Sequence, residues 1–258
     1  TPIKSSAASV VYKRQMYHRY LNIKKEDPKW EDRDRFILSK GHAGIAYAPV
    51  LCDFGYNDPE QLKTFNLTNS KMGIHLDSNK VAGVDASTGS LGHGIPIAAG
   101  TAIAARVLGK DYYTYVVTGD GELDEGSNWE GLMTIRHYNL TNCITIVDRN
   151  HCMIDGNTED VMKLEPLADK FVAFGFHTIV CEGNNIVSLC KAIDEAHKTK
   201  DKPTVIVADT IKGVGIKLTS GNYKWHYGAI DEEMAKVAAK DLDEYSAERI
   251  ARCGKEFE

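Results

Sequence analysis

The run Tyr112-Tyr113-Thr114-Tyr115-Val116-Val117-Thr118, closed by Gly119-Asp120-Gly121-Glu122, decides the architecture of this chain. Unbroken aromatic and β-branched residues stopped by a turn-forming Gly-Asp-Gly describe a strand buried on both faces. The pattern recurs at 142–147 (NCITIV), 177–181 (HTIVC) and 204–208 (TVIVA). Segments with helical spacing lie between and after these runs, at 128–138, 164–174, 186–198 and 231–253. A further long helix is expected over 91–108, where the small-residue run AAGTAIAA predicts close packing. Strands alternating with helices predict one α/β domain, a doubly wound, mostly parallel sheet flanked by helices. Ligands of such sheets sit beyond the carboxyl ends of the strands. Two strands end in unusual polar sequences, Gly119-Asp120-Gly121-Glu122 and Asp148-Arg149-Asn150, so these are the candidate site.

Composition narrows the function classes. The chain has 258 residues, 43% hydrophobic and 26% charged, which is an ordinary globular balance. Its net charge of −5 offers nucleic acid and anionic membranes no general attraction. The longest nearly apolar stretch, 95–108, is interrupted by Arg106 and is too short to span a bilayer. No signal-peptide pattern is visible in 1–15. The six cysteines contain no CxxC pair, so reduced thiols in a cytoplasmic protein are expected rather than disulfides or a zinc ribbon.

Glycine-rich polar loops suggest a phosphate ligand, but neither common phosphate motif is present. A P-loop needs a glycine five positions before its Gly-Lys pair, and Ala104 and Arg249 occupy those positions. Gly89-Ser90-Leu91-Gly92-His93-Gly94 has its glycines in the wrong order for a dinucleotide fingerprint. What remains is Asp120 between two glycines, with Asn150 thirty residues beyond it after the next strand. A carboxylate and an amide oxygen at neighbouring strand tips suit a hard divalent cation, Mg²⁺ or Ca²⁺, that keeps positions open for phosphate oxygens. The flanking glycines let backbone N–H groups approach a diphosphate. The competing reading is two ordinary strand-end turns.

These residues resemble the transketolase family. Gly-Asp-Gly followed by about thirty residues ending in Asn matches the family's thiamine-diphosphate motif. Around it stand DRDRFILSKGH (32–42), STGSLGHG (87–94), GDGELDEG (119–126) and DRNHCMIDG (148–156), in the family's order and within 22–231. The resemblance implies the thiamine-diphosphate-binding fold and the diphosphate-binding, N-terminal half of the enzyme. It implies that Asp120, Asn150 and the backbone carbonyl of Cys152 hold the metal, with the Cys152 thiol incidental and buried. Gly121 would donate its N–H to the diphosphate, His42 would contact it from a loop, and Asn150 would serve cofactor as well as metal. Gly89 and Leu91 would line the ring side of the cofactor. Glu125 would lie near cofactor and domain interface, its alternative being a solvated carboxylate. His75, in Ile74-His75-Leu76-Asp77, resembles the family's Gly-His-Pro segment that touches substrate hydroxyls, with Leu76 in place of Pro. His226, in Trp225-His226-Tyr227-Gly228, resembles the His-Gly segment after the last strand. His93 is expected to be a hydrogen-bonding loop residue, and His151 to sit beside the metal loop without binding. His18, His137, His177 and His197 carry no motif.

One region departs from the family. Its Gly-His-x-Gly-Gly loop should fall near 1–3 and is absent, and 5–15 (SSAASVVYKRQ) fits neither the family nor an amphipathic helix. Residues 1–20 are therefore read as a truncated or foreign leader, and 21–258 as the transketolase-like domain.

The function implied is two-carbon ketol transfer from a ketose phosphate to an aldose phosphate, in the pentose phosphate part of carbohydrate metabolism, with thiamine diphosphate and Mg²⁺ (or Ca²⁺). The glutamate that the family places against the aminopyrimidine ring belongs to a pyrimidine-binding domain with no matching segment here. The chain is therefore expected to be inactive alone and to complete its site against a separate C-terminal, pyrimidine-binding subunit in a heterotetramer. The alternatives are a deoxyxylulose-phosphate synthase, a 2-oxoacid dehydrogenase α-type subunit, or a non-catalytic diphosphate-binding interaction subunit.

Overall fold

In the computed structural model, which describes residues 15–256, the expected runs become four strands of one sheet. Strands β1 (Arg35–Leu38), β2 (Thr114–Gly119), β3 (Cys143–Arg149), β4 (His177–Glu182) and β5 (Thr204–Asp209) stand in the order β1-β2-β3-β5-β4, and every neighbouring pair is parallel. The α-helices longer than one turn are α1 (Gly44–Phe54), α2 (Gly94–Val107), α3 (Gly126–His137), α4 (Leu167–Ala173), α5 (Ile186–Lys198) and α6 (Glu232–Glu256).

Alternation along the strands divides the core into two layers. Phe36, Leu38, Tyr115, Val117, Ile144, Ile146 and Ile206 point to one face, where α1 and α5 cover them. Ile37, Val116, Cys143, Val147, Val205 and Val207 point to the other, under α2, α3 and α4. Chain direction accounts for this arrangement: β1, β2, β3 and β4 step one way across the sheet, whereas β4 to β5 steps back. Right-handed crossovers place the returning helix α5 on the opposite face. Helix α5 shows how local sequence supports the layer. The Asn185 Oδ1 accepts from Val187 N at 3.0 Å and Ser188 N at 3.3 Å, capping its start, and Leu189, Ala192, Ile193 and Ala196 form its buried stripe. Each buried Leu or Ile of these layers stabilises by about 1.5–3 kcal/mol.

Two expectations change. Burial on both faces holds at every position of β2 and β3, but not in β4, where Val180 is 61% exposed. β4 is an edge strand, with a neighbour on one side only. In the stretch read as a leader, Met16–Tyr20 form a short helical turn, with Met16 and Tyr17 buried in the core. The Tyr17 ring packs edge-on against Phe36 at 5.7 Å, so these residues belong to the packed body of the protein. Residues 1–14, including the position counted for the missing histidine loop, lie outside the described residues. Among the described residues no helix is long and apolar enough to cross a membrane, and Cys52, Cys143, Cys152, Cys181 and Cys190 are free and buried.

Candidate active site

Registration of the strands brings the polar tips together. Gly119 pairs with Asp148 and Arg149 with Asp209, so the segments leaving β1, β2, β3 and β5 converge on a cavity of about 500 Å³. His42, Gly89, Leu91, Asp120, Gly121, Asn150, Cys152 and His226, all singled out in the sequence, line it.

Asp120 is fully buried. Its Oδ1 accepts from Gly121 N at 2.9 Å, and its Oδ2 accepts from His151 N at 2.7 Å and Arg149 Nη1 at 3.0 Å. Burial, followed by the charge of Asp148, raises its pKa, while Arg149 pulls the other way. His151 adopts φ +61°, a left-handed conformation that His tolerates better than most residues, and its ring turns away to Asp209 at 2.7 Å. Asn150 turns within the same loop, its Oδ1 accepting from Cys152 N at 3.1 Å. The Cys152 side chain is buried, and burial raises its thiol pKa.

The other walls carry charge that sequence reading did not assign. Lys40, at the tip of β1, makes a buried ion pair with Asp148, whose Oδ1 also accepts from Thr210 Oγ1. Lys212 lies 7% exposed in the wall beyond β5 and approaches His226 Nδ1 at 3.3 Å. Its pKa is lowered, chiefly by burial and then by the nearby Lys40 charge. The rings of His42 and His226 stand 5.3 Å apart. Glu122, also buried, joins three segments: its carboxylate accepts from Ser39 Oγ, from Gly92 N at 3.0 Å and from Gly119 N at 3.2 Å. Close approach here requires glycine, since a Cβ at Gly94 would overlap Ser39 Oγ. Lysine and glutamate are usually surface residues, so only the folded arrangement reveals these roles.

Two expected residues stand outside the lining. His75 is exposed, but its ring abuts Gly89, where an added Cβ would lie 3.0 Å from His75 Cδ2. Glu125 is exposed at the start of α3, beside Gly92. The donor set fits the implied groups. A buried carboxylate and an amide oxygen suit a hard cation, and Lys40 and Lys212 supply positive charge for a diphosphate. Among the described residues no cluster of three or more His, Cys, Asp or Glu could by itself hold a metal ion.

An α/β domain with acidic, amide and basic groups converging at its strand tips carries its ligand site there. The family model described as transketolase, thiamine diphosphate binding domain, matches residues 5–246, and the chain belongs to that family. It is 39% identical over 227 residues to an apulose-4-phosphate transketolase subunit of Actinobacillus succinogenes, covering 88% of this chain and 82% of that protein. It is 37% identical over 232 residues to a 6-deoxy-6-sulfo-D-fructose transketolase subunit of a Clostridium species, covering 90% and 84%. Among solved structures, transketolase from Campylobacter jejuni superposes with TM-score 0.83 at 30% identity, covering 90% of this chain and 37% of that one. Transketolase from Leishmania mexicana gives TM-score 0.80 at 31% identity, covering 96% and 44%. The chain thus spans less than half the length of these two enzymes.

Proposed function

We propose that this chain is the diphosphate-binding subunit of a two-chain transketolase that uses thiamine diphosphate with Mg²⁺ to move a two-carbon ketol unit from a ketose phosphate to an aldose phosphate. The observation that carries the reading is the cavity in which Asp120, Asn150 and Cys152 meet two buried lysines. The relatives named as transketolase subunits, matched over more than four-fifths of their length, support the division into two chains.

When bound, the cofactor supplies the nucleophilic carbon that carries the two-carbon unit between donor and acceptor. The protein holds and orients it. Asp120, Asn150 and the Cys152 carbonyl hold the cation; Gly121 N–H, His42 and Lys212 bind the diphosphate. Gly89 and Leu91 wall the ring side. His75 and His226 meet substrate hydroxyls at the cavity mouth, and Glu125 faces the partner. That partner is a pyrimidine-binding subunit, and the assembly is a heterotetramer.

Calorimetry with thiamine diphosphate and Mg²⁺ tests the site directly. Binding to the wild-type chain and its weakening by about 100-fold in Asp120→Ala are expected. A wild-type chain that takes up no thiamine diphosphate in the presence of Mg²⁺, with or without the partner, overturns the reading.

A further inference from the structure

Helix α6 is exposed over most of its length, yet it carries a buried carboxylate. Of residues 232–251 only Ala238 and Asp241 are buried, and Asp241 is 7% exposed. Aspartate is seldom buried unless it is paired. Here both oxygens turn to one residue of another segment. Oδ2 accepts from Lys217 N at 2.9 Å, and Oδ1 stands 3.5 Å from Lys217 Nζ. The same ammonium reaches Glu244 Oε2 at 2.7 Å. Packing accompanies these polar contacts. Gly215 lies directly on α6, where an added Cβ would come within 3.0 Å of Leu242 Cδ2 and 3.2 Å of Tyr245 Cδ1.

The segment held in this way is the one that presents Lys212 to the cavity. Between 212 and 221 (KGVGIKLTSG), Gly213, Gly215 and Gly221 adopt positive φ. Glycine brings conformational freedom, so the path of such a loop depends on what ties it. Internal bonds tie it into a knot. Gly221 N donates to Lys212 O at 2.7 Å, Thr219 Oγ1 to Gly213 O at 3.0 Å, and Ser220 N to Ile216 O at 2.9 Å. Thr219 is 4% exposed. A loop braced like this moves as one body, so the group that anchors Lys217 also places Lys212. Its entry is fixed where Thr210 N donates to Arg149 O at 2.9 Å. Asp241 holds the far side.

We propose that Asp241 is a positioning residue for the cofactor site: by accepting the Lys217 N–H it fixes the 212–221 loop against α6 and so sets the place from which Lys212 meets the diphosphate. The inference rests on the proposed role of Lys212 and adds to it a support from outside the cavity lining. A carboxylate that only steadied α6 would leave cofactor affinity unchanged. One that acts through the loop loses its effect once the Lys212 ammonium is gone.

The test is a double-mutant cycle on the full chain, read by calorimetry with thiamine diphosphate and Mg²⁺, with thermal melts confirming that each variant is folded. Asp241→Ala is expected to weaken binding about fivefold. Asp241→Asn keeps an acceptor for Lys217 N, and Glu244 keeps the ammonium, so its affinity stays within about twofold of wild type. In a Lys212→Met background, Asp241→Ala adds a loss of less than about twofold. Should the alanine variant fail to fold, Asp241→Ser, too short to reach Lys217 N, serves the same comparisons. Unchanged affinity in the folded alanine or serine variant, an equal loss in Asp241→Asn, or losses that multiply in the double variant overturn the inference and leave the cofactor site standing. A wild-type chain that takes up no thiamine diphosphate, with or without the partner, overturns both.

Discussion

Lys212 shows how one residue couples proton and ligand. Burial, and then the Lys40 charge, lower its pKa in the folded chain, whereas the unfolded chain holds a lysine near ~10.4. Between the lowered value and ~10.4 the unfolded chain binds more protons, so this group makes stability rise with pH across that window and costs stability below it. A diphosphate beside Lys212 favours the charged form and restores the proton. Binding of thiamine diphosphate at a pH within that window is therefore expected to take up protons, measurable by calorimetry in buffers of different ionisation enthalpy. Lys212→Met should reduce the uptake and weaken binding by roughly tenfold. Proton release in the wild type would contradict this. Cys152 gives the opposite case. Its thiol is buried and its pKa raised, so it remains protonated and a poor ligand. Cys152→Ala should leave cofactor affinity within about twofold of wild type, because the proposed ligand is the backbone carbonyl; a large loss would point to the sulfur instead.

At the scale of elements, what the sequence disclosed depended on how fully each element is buried. β2, β3 and β5 were legible because central strands read as unbroken apolar runs, and α5 because its apolar spacing is a local signal. β1 was not read as a strand, being only four residues long and opening with Arg35. α1 was not read as a helix, since it starts at Gly44 and carries Pro49 inside. The site divides in the same way. Asp120 and Asn150 announced themselves by following strands, but Lys40, Glu122, Arg149 and Lys212 became visible only when distant segments met. Helix packing carries a further expectation. α2 and α3 follow the 87–94 and 119–125 segments directly and meet at Gly131, where a Cβ would lie 2.9 Å from Pro96 N and 3.0 Å from Ile95 Cγ2. Gly131→Val should push the helices apart, costing about 1–3 kcal/mol, seen as a lower urea midpoint. It should also weaken cofactor binding, because the segments that lead into the two helices line the cavity at Gly89, Leu91, Asp120, Gly121 and Glu122. Loss of stability with unchanged affinity would show that the two segments hold their places independently of the helix pair.

At the scale of the whole molecule, the cavity belongs to a chain that spans 44% of one full-length transketolase and 82% of a relative named as a subunit. If a partner subunit completes the pocket, cofactor and partner bind to connected surfaces, and their affinities are linked. Whatever factor the partner adds to thiamine diphosphate affinity, the cofactor must add to partner affinity, because the two routes to the ternary complex have the same free energy. Ketol transfer is therefore expected from the mixture and not from this chain alone. Dilution of the complex, followed by sedimentation velocity, should show tighter association with thiamine diphosphate and Mg²⁺ present. The gain should equal the partner's effect on cofactor affinity measured by calorimetry, a coupling of about 1–3 kcal/mol. Asp120→Ala should remove the cofactor's effect on assembly and leave cofactor-free assembly in place, since Asp120 lies buried beneath the cavity rather than on the outer surface. Assembly that ignores the cofactor, combined with full activity, would mean that the pocket is complete within one chain and that the partner serves another purpose.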